Sequence, residues 1–214
     1  MRHLPLIATA VLTLAAAPQA GGQGADVLLN CSACHTVGPA RDSAAPSPYP
    51  NLNGQSARYL ERQLRAYREG LRQHPQMQAT ARALGAGAGA MARMYADAPA
   101  PDLTYTASPG ALPKAEALVT DGDWSRGLPP CASCHALDPA DRARLSPRLH
   151  GHPAPYLARQ LRAYADGSRQ SGTLGRMQAY AAQLTEAEIT ELADYYAAWG
   201  PEAASPQEET ETDG

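Results

Sequence analysis

Cys131-Ala-Ser-Cys134-His135 decides how this chain is read, and Cys31-Ser-Ala-Cys34-His35 repeats it 100 positions earlier. C-x-x-C-H is the spacing of a c-type haem attachment site. On one turn of helix, positions i, i+3 and i+4 share a face, so both thiols reach the edge of one porphyrin while the adjacent imidazole points at its iron. Thioether bonds then hold the macrocycle, and the His supplies the proximal ligand. Two C-x-x-C pairs can also share one zinc, and a single C-x-x-C can be a redox dithiol. Neither requires His directly after both second cysteines, and the dithiol motif belongs to a βαβ context that is absent here. These four are the only cysteines in the chain. The motifs therefore predict two covalently bound haem c groups, attached at Cys31, Cys34, Cys131 and Cys134, with His35 and His135 as metal ligands.

Working outward, the two motifs head two copies of one pattern. Pro50-Asn-Leu52-Asn-Gly54 is matched by Pro147-Arg-Leu149-His-Gly151. Tyr59-Leu60-x-x-Gln63-Leu64-x-x-Tyr67-x-x-Gly70-x-Arg72 is matched by Tyr156-Leu157-x-x-Gln160-Leu161-x-x-Tyr164-x-x-Gly167-x-Arg169. Met77-Gln78-Ala79 is matched by Met177-Gln178-Ala179. The offset runs 100, 97 and 100 again, so each copy has one loop three residues longer than its counterpart. A conserved order of matches at shifting offsets is a tandem duplication, one haem to a copy.

Helices dominate the expectation, because Ala, Leu, Arg, Gln and Glu abound and β-branched residues are few. The first helix of each copy leads into C-x-x-C-H, and a second spans about Gln55 to Gly70, or Ala154 to Gly167. Tyr59, Leu60, Gln63, Leu64 and Tyr67 fall on one face of it. The last helix of copy two opens on a Thr185/Glu188 capping box and carries an Ile189, Leu192, Tyr196, Trp199 stripe up to Gly200-Pro201. Its counterpart in copy one is interrupted by Gly85, Gly87 and Gly89, each costing a helix about 1 kcal/mol relative to Ala. A short helix from near Ala90 to before Pro99 is expected there, in the less stable domain. Each copy has only about 80 residues, a size at which one core is marginal, and the haem plate supplies apolar bulk to a chain without Phe.

The predicted division is a signal peptide over 1–22, domain 1 over 23–98, a Pro-rich linker over 99–112, domain 2 over 113–200 and an acidic, disordered tail over 201–214. Arg2 followed by the apolar run from Leu4 to Ala17 reads as a secretory signal, too short to span a bilayer comfortably. Four prolines between Ala96 and Pro113 favour an extended connection over a helix. The formal net charge of −3 gives no reason to invoke nucleic acid.

In combination these motifs resemble the two-haem class I cytochromes c of the c-four type, over roughly residues 25–200. Asp121-Gly-Asp-Trp124-Ser-Arg-Gly127-Leu-Pro-Pro-Cys131 is similar to that family's second-domain entrance. The resemblance implies an all-α protein of two tandem class I cytochrome c domains facing each other, and periplasmic transfer of single electrons, often towards a terminal oxidase. It also implies that Pro50 and Pro147 sit where a carbonyl accepts the proximal imidazole proton, which would fix the ring and strengthen the ligand. His152 departs from the pattern, where the family usually has Gln, as does the glycine-rich end of copy one.

A thioether suits low-spin haem iron, and Met/His ligation raises the reduction potential. Met77 and Met177, in register after the long helix where a loop can return over the porphyrin, are the expected sixth ligands. Met91, Met94 and His74 are rivals in copy one, the two methionines reading better as an apolar stripe and His74 as a loop residue. His150 and His152 are expected near the haem edge. Arg72 and Arg169 recur in register, either to pair with propionates or as solvated helix ends. Arg58, Arg62, Arg65 and Arg68 read as a solvated face.

No acid–base constellation accompanies an open iron site, so an electron-transfer protein is expected rather than an enzyme, with no small-molecule substrate. Its partners would be a redox-protein donor and acceptor, membrane-bound oxidase or reductase complexes included. The alternative is the cytochrome subunit of a dehydrogenase such as flavocytochrome c sulfide dehydrogenase.

Overall fold

The computed structural model describes residues 31–35, 48–108, 110–135 and 146–200. The signal peptide, the approach to Cys31 and the acidic tail lie outside the described residues, whereas in copy two the helix that precedes the motif ends at Thr120, well before Cys131. Copy one contributes α1 (Ala57–Glu69), α2 (Pro75–Leu84) and α3 (Ala88–Asp97). Copy two contributes α4 (Pro113–Thr120), α5 (Ala154–Ala165), α6 (Arg176–Ala181) and α7 (Glu186–Ala197).

The long helix forms as its periodicity predicts. Ser56 caps α1 by accepting from the Tyr59 amide, and Gly70, at φ 77°, closes it in a left-handed turn. Tyr59, Leu60, Gln63 and Tyr67 are buried on one face. The Thr185/Glu188 capping box is present, and Arg126 reaches the same Glu188 carboxylate at 2.7 Å. Ile189, Leu192 and Tyr196 are buried, but α7 ends at Ala197, so Trp199 lies beyond the helix rather than on its stripe.

Trp199–Gly200 instead forms β2, antiparallel to β1 (Thr104–Tyr105) in the connection between copies. The proline-rich connection thus lacks helix, as expected, but is anchored rather than free-running. It presses on both Pro-x-Leu-x-Gly motifs. A Cβ at Gly54 would lie 2.5 Å from Ala100, and one at Gly151 would lie 2.9 Å from Leu103. Both glycines have positive φ, 69° and 76°, so backbone conformation and close approach each call for glycine.

Copy one's glycines interrupt the chain as predicted, but the helix that follows starts two residues earlier than expected and takes in Gly89. Gly85–Gly87 form a 3₁₀ turn, and α3 then runs from Ala88 with no side-chain cap. Among the described residues, Tyr59, Leu60, Ala92 and Tyr95 are buried together in copy one. In copy two the described core gathers Leu118, Val119, Leu128, Tyr156, Leu157, Ile189, Leu192 and Tyr196 among others.

Two paired haem sites

Each C-x-x-C-H folds as one turn. The His35 amide donates to the Cys31 carbonyl at 2.7 Å, and the His135 amide to that of Cys131 at 3.0 Å. The imidazoles are then fixed from the other side. His35 Nδ1 donates to the Pro50 carbonyl at 2.8 Å, and His135 Nδ1 to that of Pro147 at 2.7 Å. With Nδ1 carrying the proton, Nε2 keeps its lone pair, the state in which imidazole ligates a metal. Burial holds both imidazoles below the ordinary histidine pKa, against the opposing pull of the proline carbonyls. Among the described residues no three His, Cys, Asp or Glu side chains converge as a metal site, which removes the shared-zinc reading.

One continuous cavity of about 1230 Å³ runs between the copies. All four cysteines, His35, His135, Pro50, Pro147, Met77 and Met177 line it. The methionines do not sit in returning loops. Met77 is the third residue of α2, whose amide donates to the capping His74 Nδ1 at 3.3 Å, and Met177 is the second residue of α6. His74 is thus a helix cap, a role that its position before Pro75 signals. Met91 lines the cavity and Met94 does not, and both pack against the core of copy one. Met91 corresponds to the buried Leu192, because the Gly54 amide meets the Tyr95 carbonyl just as the Gly151 amide meets that of Tyr196. His152 lines the cavity, stacked on Tyr156 with centroids 5.8 Å apart. His150 does not. It packs edge-on against Tyr196 and Trp199, with centroids 5.0 and 4.9 Å away.

The solvated reading of Arg72 and Arg169 is overturned: they are only 5% and 4% exposed. The copies meet through them. Arg72 donates to Gln63 Oε1 within its own copy at 3.0 Å, and across to the Tyr156 hydroxyl and Gln160 Oε1, both at 2.9 Å. Arg169 mirrors this, donating to Gln160 Oε1 at 2.7 Å and across to Gln63 Oε1 at 2.9 Å and the Tyr59 hydroxyl at 3.4 Å. Each guanidinium also lies over a tyrosine, Arg72 over Tyr67 at 4.7 Å and Arg169 over Tyr164 at 4.4 Å. Sequence reasoning assigned Gln63 and Gln160 to a helix face and missed this role. The signal was available: a buried amide kept in register with an arginine in both copies. Arg62 also departs from the solvated face, donating to Thr173 Oγ1 in the other copy.

The residues fit two haem groups. Apolar side chains, four thiols and two Nδ1-anchored imidazoles share one cavity, and the cavity also meets cationic groups that lack acidic partners. Arg72 and Arg169 bond only to neutral oxygens, and Arg148 lines the cavity with its Nε and Nη1 buried and unpartnered among the described residues. Burying guanidinium charge without an anion is costly, and haem carries carboxylates that answer it.

Comparison with known proteins agrees with this geometry. Residues 22–107 match the family model for cytochrome c, and residues 130–195 match that for cytochrome c oxidase, cbb3-type, subunit III. A thiosulfate dehydrogenase electron acceptor from Thiomonas intermedia (strain K12) is 33% identical over 92% of this chain and 91% of its own length. Cytochrome c4 from Pseudomonas aeruginosa is 31% identical over 86% of this chain and 90% of its own. The crystal structure of reduced cytochrome c4 from Pseudomonas stutzeri superposes with a TM-score of 0.66 at 28% identity, covering 85% of this chain and all of that one. Two haem-binding folds, each built on its own C-x-x-C-H turn and joined through a mirrored Arg–Gln–Tyr network, place the chain in the family of di-haem, electron-carrying cytochromes c of the cytochrome c4 type.

Proposed function

We propose that the protein is exported to the periplasm and passes single electrons between a dehydrogenase and a terminal oxidase. The single observation that supports this is that the two anchored imidazoles line one cavity together with Met77 and Met177, which stand at the same register of the repeat. In this reading Cys31, Cys34, Cys131 and Cys134 hold the porphyrins, and His35 with Met77 and His135 with Met177 take the two axial positions. With both remaining iron positions held by side chains of this chain, a bound haem would supply one-electron redox chemistry and no site for a substrate. Pro50 and Pro147 orient the proximal rings. Arg72 and Arg169, buried without acidic partners, would balance the charge of the haem carboxylates. The functional units are 23–98 and 113–200, joined by 99–112, with 1–22 removed on export and 201–214 as an acidic tail.

The name of the Thiomonas relative supports a thiosulfate-oxidising dehydrogenase as the donor. No described helix is long and apolar enough to cross a membrane, which is compatible with a carrier that diffuses between partners. Met77→Ala and Met177→Ala test the ligation. Each should open one haem and lower its potential, leaving the other nearly unchanged in a spectroscopic redox titration. A copy-one haem unaltered by Met77→Ala would assign its sixth ligand to Met91, Met94 or His74 instead.

A further inference from the structure

The two copies differ most where the long helix of one meets the methionine segment of the other. Copy two inserts three residues before its methionine, and this loop is tied across the domain boundary by Arg62, which donates to Thr173 Oγ1. The next residue, Leu174, is 83% exposed. It also has φ 55° and ψ 28°, making it the only non-glycine residue with positive φ among those described. A leucine in the left-handed region is strained by its Cβ in a way that glycine would not be. Arg62, which bonds the neighbouring Thr173, lines the same cavity as Met177. Arg65 lies one helical turn along α1 from Arg62 and Arg176 two residues on from Leu174, both exposed and without an ion pair among the described residues.

The mirrored place in copy one has none of this. His74 leads directly into Pro75 with no inserted loop, and Arg162, the counterpart of Arg65, is engaged by Glu186 at 3.0 Å. Charge follows the same asymmetry. Residues 23–98 carry eight basic and five acidic side chains, whereas residues 113–200 carry nine and ten.

We infer that the patch centred on Leu174 and rimmed by Arg62, Arg65 and Arg176 docks an acidic redox protein, so that the second haem exchanges electrons with that partner. This rests on the carrier reading. An apolar centre supplies contact without charge desolvation, while the exposed guanidiniums of Arg65 and Arg176 speed encounter and leave the complex short-lived. The patch also joins the cavity wall beside Met177, which keeps the electron's path short. One electron leaves the reduced partner and one ferric haem becomes ferrous, with no bond made or broken.

The test uses the holoprotein and an acidic flavodoxin as probe, reduced to its hydroquinone for kinetics and oxidised for binding. At low ionic strength, Leu174→Glu and Arg65→Glu should each lower the bimolecular rate at least about fivefold. Both should weaken binding of the oxidised probe, read from NMR shifts at Thr173 and Leu174. The Arg65→Glu defect should fade above about 0.5 M salt. Reduction by neutral benzohydroquinone should be unchanged in both variants. Failure of that control reaction in the wild type would count against the carrier reading, whereas unchanged flavodoxin rates and binding in both variants would overturn the docking site alone. Arg65 lies outside the methionine loop, so its variant reports on docking even if Leu174→Glu disturbs the loop. Deleting residues 202–213 should change the rate by the same factor with and without Leu174→Glu. Acceleration confined to wild-type Leu174 would make that acidic segment the occupant and overturn an external partner. Binding to phosphatidylglycerol vesicles that Leu174→Glu abolishes would assign the patch to a membrane, and would overturn it equally.

Discussion

Gln63→Leu removes the acceptor at the centre of the domain junction while keeping the size and shape of the side chain. Gln63 Oε1 accepts from Arg72 at 3.0 Å, from Arg169 at 2.9 Å and from the Ser171 hydroxyl at 2.9 Å. Hydrogen bonds from a charged donor contribute about 1.5–3 kcal/mol each and a neutral one about 1, giving a gross loss of roughly 4–7 kcal/mol. Two effects reduce it. Both guanidiniums keep Gln160 Oε1, and the substitution deletes a buried Nε2 that has no partner among the described residues. A net loss of about 3 kcal/mol is expected. Guanidinium chloride unfolding of the holoprotein, followed by far-UV circular dichroism, measures it. Because two of the three lost bonds, those from Arg169 and Ser171, join the copies, the single transition should also begin to separate into two. Gln73→Leu is the control, since Gln73 bonds only at the surface to Gly70 and Gln78, and it should cost under about 0.5 kcal/mol. If Gln63→Leu costs no more than that control, the network does not hold the domains together.

Acid sensitivity should trace in part to His152. Burial pushes its pKa down to about 4, so the neutral ring stabilises the fold above pH 6.5, and that contribution is lost as pH falls from 6.5 to 4. His152→Gln should retain roughly 2 kcal/mol more of its neutral-pH stability at pH 4.5 than the wild type does, read from unfolding at both pH values. Gly87, at φ −71° with open space around its missing Cβ, should accept alanine with a gain of up to about 1 kcal/mol and slower hydrogen exchange over 88–97. Gly85→Ala should do the opposite, because φ is 48° there. Gly54→Ala should lower the melting temperature more than Gly151→Ala, since the first clash meets Ala100 Cβ at 2.5 Å and its backbone Cα at 2.9 Å, whereas the second meets the movable end of Leu103 at 2.9 Å and the Trp199 carbonyl only at 3.3 Å.

Much of the fold was legible because covalent chemistry and repetition constrain it twice over. The C-x-x-C-H turns, the Tyr59–Tyr67 face and the Thr185/Glu188 box are local patterns, and local patterns survive folding intact. What escaped was non-local. Trp199 reads as the last step of a helical stripe, yet it pairs with Tyr105, nearly 100 residues earlier. Arg72 and Arg169 read either as propionate partners or as solvated helix ends, because nothing in either copy alone says that the other copy's Gln and Tyr will cover them. His150 falls one residue from Gly151, and only the approach of Trp199 decides that it packs outside the cavity lining. The Met77 helix was missed for a local reason. His74 is an uncommon cap, and its Nδ1 takes the place of the usual hydroxyl or carboxylate.

Carbon monoxide binding by the fully reduced wild-type holoprotein at neutral pH tests the central claim most directly. Carbon monoxide needs a vacant or readily vacated position on ferrous haem. With Met77 and Met177 on iron, the Soret and α bands of both haems should be unchanged under the gas, and the ferric protein should show the methionine–iron charge-transfer absorption at the strength of two haems. Stoichiometric binding at one haem would contradict the carrier account for that domain and give it an open iron site.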